Sequence, residues 1–285
     1  ELASRLTAVD TIIHCAAITE HVGKRTDYQR VNVEGTRRMV ELANMFAAQL
    51  IHISTMSVAG IGGGAQFDEH SFDVGQDVSF NEYTRSKYLA ESVVLEAFDQ
   101  GLSGRILRVG NLTGRAADGV FQRDVRRNAF AMRLAAFARL GCYPADRIGW
   151  FEMTPVDACA RAILLLSTNE SARICHLQND QRLDADALAE LMRSYGCPIE
   201  PISTEEFSRQ AISRTDSEFA NLFGIVRDIV EKSDASATET SVVATSTALS
   251  ILGFSWPLVD REYFVRYFAQ IEAAVDAFEP TRNRG

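Results

Sequence analysis

The chain has 285 residues, 46% hydrophobic and 24% charged, with a formal net charge of −9. That length can bury a sizeable core, in one large domain or one domain plus a small lobe. The acidic balance argues against a nucleic-acid binder, which would carry a basic face, and no run of about 18 apolar residues offers a membrane span. Nothing near Glu1 reads as a signal peptide. The five cysteines (Cys15, Cys142, Cys159, Cys175 and Cys197) form no CxxC pair and are odd in number. A reduced, cytoplasmic protein is the simpler reading. No two Cys or His residues stand at ligand spacing, so no metal site is expected.

The opening ELASRLTAVD reads as the middle of an amphipathic helix. VDTIIHCAA (9–17) is a short apolar run ending in small residues, as in a parallel-sheet strand. Val33, Met39, Val40, Leu42, Ala43 and Phe46 give a helical stripe within 26–47. LIHISTMSV (50–58) reads as the next strand. A Gly-rich loop, AGIGGG, and an acidic irregular stretch carry the chain to a helix over 83–99. SGRILRVGNLTG (103–114) is a strand breaking into a turn. Strand and helix alternate at roughly 30–50 residues per unit, which predicts an α/β fold with a parallel sheet.

Residues 115–150 are less regular, with a helix across RRNAFAMRLAAFARLG. TPVDACARAILLLST predicts a helix starting after Thr154–Pro155, and RICHLQN (173–179) a last strand. DADALAELMRSYG, TEEFSRQAISRT and EFANLFGIVRDIVEK are helical. DASATETSVVATST (234–247) is small and polar and reads as a disordered or mobile loop. A long amphipathic helix in DREYFVRYFAQIEAAVDAF closes the chain. The expected division is an α/β domain over 1–180 and a small, mostly helical lobe over 181–285.

Within YTRSK, Tyr83 and Lys87 stand at i and i+4, on one helical face and about 6 Å apart along the axis. A lysine there can lower a phenol's pKa from about 10. The tyrosine can then exchange a proton with an oxygen whose charge changes. The same spacing also arises by chance in many helices. Ser54, Thr55 and Ser57 lie at the C-terminal end of the 50–58 strand, the edge where open α/β sheets bind ligands. Strand-end hydroxyls also satisfy their own turns. Ala16 and Ala17 let a flat cofactor approach the backbone, or a helix pack tightly. His14 reads as a structural histidine. Asn32 is an N-cap or a brace for the site.

Taken in order, HCAA, NVEGT, ISTMSVAG, YTRSK and RVGNLTG resemble an extended short-chain dehydrogenase/reductase. HISTMSVAG, YTRSKYLAE, RVGNLTGRAADGVFQRDVRRNAF and TPVDACARAI are similar in particular to the thioester reductase, or terminal reductase, domain of nonribosomal peptide synthetases and of carboxylic acid reductases. The resemblance spans residues 8–180, and reaches the C-terminal lobe only through LGF and REYFVRYFAQI. It implies a Rossmann-like, doubly wound parallel sheet.

It also implies an NADPH-dependent oxidoreductase. Such an enzyme releases a peptidyl or acyl chain from the phosphopantetheine thioester of a carrier protein as an aldehyde, in some members as the alcohol. Aligning VAG at 58–60 with the family's Val-Tyr-Gly puts Thr55 at the catalytic hydroxyl position. Tyr83 is then the proton donor, and Lys87 tunes it and holds the nicotinamide ribose. Ala16 and Ala17 would lie along the cofactor, Val109, Gly110 and Asn111 would flank the nicotinamide, and 115–150 would line part of a substrate channel. Two alternatives stay open: an extended dehydrogenase or epimerase acting on a free small molecule, and a non-redox release or cyclisation domain.

The family's Gly-rich fingerprint after its first strand is not found, nor is the basic residue that would choose NADPH. GIGGG at 60–64 follows the wrong strand and precedes no helix. The expectation is a sheet lacking its N-terminal βα units, on the order of 90 residues. By itself such a chain should bind cofactor poorly and expose a sheet edge.

Overall fold

A computed structural model of the chain describes residues 8–20, 24–63, 66–146, 149–168, 172–213 and 238–276. It divides into two compact units. One comprises Glu1–Gly110, Cys159–Gln178 and Ser236–Ser255; the other comprises Asn111–Ala158, Asn179–Ala235 and Trp256–Gly285. The division is not a single cut near residue 180. The strand Ile174–Leu177 and the segment 238–255 both return to the first unit, where the strand pairs with Gly104–Val109 and Thr240 bridges Phe67.

The first unit is a parallel α/β arrangement of Rossmann type. Its four-stranded sheet runs in sequence order: β1 (Thr11–His14), β2 (Gln49–Thr55), β3 (Gly104–Val109) and the strand Ile174–Leu177. All pairings are parallel. The register sets Thr55 opposite Val109 and Val109 opposite Leu177, so the strands finish along one edge. Gly104 starts β3 because any Cβ there would lie 2.0 Å from Leu50 O. Ala43, Leu50, Val94, Phe98, Ile106 and Ile174 form the core between sheet and helices.

After β1 come α1 (Arg25–Tyr28), a π-turn over Gln29–Val33, and α2 (Glu34–Phe46). Asn32 therefore sits inside the π-turn rather than at an N-cap. β2 stops at Thr55, whose side chain accepts from Ser57 N and caps a 3₁₀ turn over Met56–Ala59. The predicted strand over 50–58 thus runs three residues past the observed end. Gly60 ends that turn at φ +63°, where a Cβ would meet Asp77 O at 2.5 Å. α3 (Glu82–Asp99) begins where the Asn81 side chain accepts from Thr84 N at 2.7 Å.

The predicted mobile loop at 234–247 is corrected over its described part. Thr240 bridges Phe67, and a helix runs Val243–Ile251. Its polar residues are bonded internally: Thr245 N donates to Glu69, and Thr245 Oγ1 accepts from His176 N.

The second unit packs the helices Ala129–Leu140, Ala185–Tyr195, Thr204–Ser213 and Arg261–Asp276 around Phe130, Phe137, Met192, Phe207, Phe264 and Phe268. It is not purely helical. Leu112–Thr113 pairs with Thr154–Pro155, Cys142–Pro144 with Glu200–Ile202, and Trp150–Phe151 with Leu183–Asp184. The helix expected over EFANLFGIVRDIVEK lies outside the described residues. Among the described residues, no helix is long and apolar enough to cross a membrane.

Candidate active site

Thr55 ends β2 at the C-terminal edge of the sheet and is nearly buried. Its hydroxyl donates to Ser57 Oγ at 3.2 Å and accepts from Ser57 N at 3.2 Å. Tyr83, in the first turn of α3, hydrogen-bonds the Thr55 side chain. The structure therefore joins these two predicted residues directly. Burial raises the Tyr83 phenol above its usual range, and the hydrogen bond it shares with Thr55 pulls it partly back. The expected lowering by Lys87 is not what dominates here: desolvation disfavours the phenolate.

Lys87, one helical turn on, is buried to 4% exposure. Its Nζ donates to Ile53 O at 2.7 Å and stands 3.4 Å from His52 Nε2. Burial lowers its pKa to about 8, while Glu91 and Cys15 favour the charged form. The ammonium is thus turned toward the β2 backbone, and Glu91 is already engaged by Arg108 at 2.8 Å.

Asn32 holds this edge together. Its Oδ1 accepts from Ile18 N at 2.7 Å, and its Nδ2 donates to Ile18 O at 3.0 Å and to Ser86 Oγ at 2.8 Å. Ser86 Oγ donates on to Tyr83 O at 2.8 Å. The segment carrying Ala16 and Ala17 is thereby pinned at Ile18. Ala16 is exposed and Ala17 half-buried. His14 is structural, as its sequence setting suggested. Thr36 Oγ1 spends its proton on Asn32 O at 2.6 Å, so it accepts from His14 Nε2 at 3.0 Å. Burial lowers His14 to about 4, which keeps the ring neutral.

Val109 is the buried last residue of β3, and Gly110 N donates to Leu177 O at 2.9 Å. Asn111 opens the second unit. Its N donates to Glu152 Oε1 at 2.6 Å, its Nδ2 to Glu152 O at 3.3 Å, and its O accepts from Thr154 N at 2.9 Å. Glu152 is buried, which raises its carboxyl to about 7 against the pull of its hydrogen bonds from Asn111 and Thr154. Ser54 is buried, with no hydrogen-bond partner for its hydroxyl among the described residues.

Sequence reasoning missed His52, Glu152 and Ser86. His52 and Ser86 sit two and one residues from named candidates, and that proximity was the available signal. Glu152 carried none, because its partner is 41 residues away.

A family model described as Male sterility protein (NAD_binding_4) matches residues 1–163. The chain is 31% identical, over 216 residues, to the glycine betaine reductase ATRR of Emericella nidulans, covering 73% of this chain and 16% of that protein. It is similar in structure to a thiolation-reductase di-domain from an archaeal non-ribosomal peptide synthetase, with TM-score 0.81 and 30% identity, covering 95% of this chain and 58% of that one. It is also similar to the terminal R domain from the myxalamid PKS-NRPS biosynthetic pathway, with TM-score 0.82 and 26% identity, covering 98% of this chain and 70% of that one.

Proposed function

The chain belongs to the male sterility protein family of NAD-binding domains, and on that premise we propose that it is a thioester reductase. It takes an acyl or peptidyl chain held on the phosphopantetheine of a carrier protein and releases it as an aldehyde. The observation that carries the reading is the hydrogen bond between Thr55 and Tyr83 at the sheet's C-terminal edge, with Lys87 one turn along the same helix.

The residues of this edge fit the nicotinamide end of NADPH. Ala16 and Ala17 present nothing larger than a methyl group at the end of β1, and Lys87 has donor capacity beyond Ile53 O. A glycine fingerprint for the pyrophosphate is not part of this sequence. When bound, the cofactor supplies the hydride.

The protein's own work is electrostatic and protonic. Thr55 and Tyr83 hydroxyls donate to the thioester carbonyl oxygen, which gains charge as hydride arrives at carbon. Tyr83 gives its proton to that oxygen, forming a thiohemiacetal. On collapse the phenolate takes the proton back, the C–S bond breaks, and the leaving thiolate takes a proton from solvent. Lys87 stabilises the transient phenolate.

The test is reduced-nicotinamide consumption with an acyl-pantetheine thioester, with the product identified. Stoichiometric aldehyde with NADPH consumption is expected. Release or cyclisation without cofactor turnover would sink the reading.

A further inference from the structure

We propose that His52, on β2 beneath the site, is a positioning residue for Lys87, holding its amine inward and sharing its proton. Nζ stands 3.4 Å from His52 Nε2 and 2.7 Å from Ile53 O, so two neighbouring β2 residues grip one amine. His52 is fully buried, and its Nδ1 has no partner among the described residues. Among the described residues, the ring's one hydrogen-bonding contact is therefore Lys87.

The chemistry allows one positive charge for the two groups. An ammonium at Lys87 needs Nε2 as an acceptor, which puts the ring proton on the unpartnered Nδ1. A neutral amine at Lys87 instead accepts from Nε2–H and leaves Nδ1 a bare acceptor. Protonating both would place two like charges 3.4 Å apart with no water between them. The first arrangement strands a buried donor and the second a buried acceptor, so neither protonation state is fully satisfied.

Other titratable groups also lie near Lys87, and of these Glu91 and Cys15 favour its charged form. β1 leads to His14, whose ring centroid lies 5.4 Å from that of His52, and to Cys15. α3 carries Tyr83 and Glu91, and β3 carries Arg108, which binds Glu91 through two nitrogens. Besides Ile53 O, His52 is thus the group in hydrogen-bond reach of the amine, whose pKa burial lowers to about 8. The inference rests on the reductase reading only for its consequence in turnover.

The chain contains three lysines, Lys24, Lys87 and Lys232, so Lys87 can be titrated alone by NMR of side-chain ¹³C-labelled lysine, assigned with Lys87→Arg. The sample is the whole chain without substrate or cofactor. His52→Leu removes the acceptor and should move the Lys87 midpoint down by roughly 0.5–1 pH unit, one hydrogen bond's worth. His52→Asn, which keeps an acceptor, should restore most of the shift. The alkaline limb of kcat against pH should move the same way.

An unchanged Lys87 midpoint in folded His52→Leu protein would overturn the inference. Should His52→Leu fail to fold, a wild-type His52 ring signal that stays unmoved across the Lys87 titration would do so. A shifted midpoint in a protein that reduces no thioester would instead leave the inference standing and remove the reductase reading.

Discussion

Asn32 donates to the Ser86 hydroxyl at 2.8 Å and so ties the π-turn after α1 to the helix bearing Tyr83 and Lys87. Every hydrogen-bonding position this amide uses is filled, two of them by the Ile18 backbone. Asn32→Ala leaves one donor, Ile18 N, and two acceptors, Ile18 O and Ser86 Oγ, without their partner. We expect a loss of about 1–3 kcal/mol, read as a lower urea midpoint, with faster amide exchange at Ile18.

Tyr83→Phe keeps the ring and removes the proton. Thioester reduction should fall by about 10²-fold or more, while cofactor affinity measured by fluorescence titration stays close to wild type. A variant keeping more than about a tenth of the rate would contradict the assigned role.

Thr55→Val preserves shape and removes the hydroxyl bonded to Tyr83. A lost oxyanion donor is worth about 10²–10³ in kcat, with a smaller change in KM. Ser57→Ala removes only the acceptor of the Thr55 proton, so its rate should change little. Single-turnover kinetics with the same thioester separate the two variants.

Arg108 and Glu91 form a fully buried ion pair, joined by Ser71 O at 2.9 Å and the Phe67 ring at 4.5 Å. Arg108→Met leaves an unpaired buried carboxylate and should cost about 3–5 kcal/mol. Adding Glu91→Leu should recover part of that loss. Chemical denaturation of both singles and the double variant measures the coupling.

Glu152 gives a pH signature. Its carboxyl titrates near 7 in the folded chain against an ordinary 4.5. Across that window the folded state holds a proton the unfolded chain has released, so its contribution to stability falls as pH rises. His14 and His176, both lowered to about 4, act oppositely: the unfolded chain binds the extra protons between about 4 and 6.5, so stability rises there. Glu152→Gln should therefore show a steeper gain in stability from pH 5 to pH 7 than wild type. Urea midpoints across that range test it.

Much of the candidate site was legible along the chain. YTRSK placed two groups on one helical face, and ISTMSVAG placed a hydroxyl at a strand end, because both are local relationships. Within DASATETSVVATST, the described part, 238–247, was misread for the converse reason. Its small polar residues suggest no core of their own, yet Thr240 and Thr245 are buried, and Thr245 finds its partners at Glu69 and His176. A polar segment is ordered when distant residues satisfy it, and composition does not record distant residues.

The sequence by itself determined the alternation of strands and helices, the parallel sheet, and the order in which Thr55, Tyr83 and Lys87 reach its edge, since periodicity and spacing act within a few residues. The tertiary structure decided which way Lys87 points, that Asn32 braces rather than caps, and that Asn111 is held by Glu152. Each of those depends on hydrogen bonds between residues roughly 14 to 54 positions apart, and only burial together makes such groups choose one another.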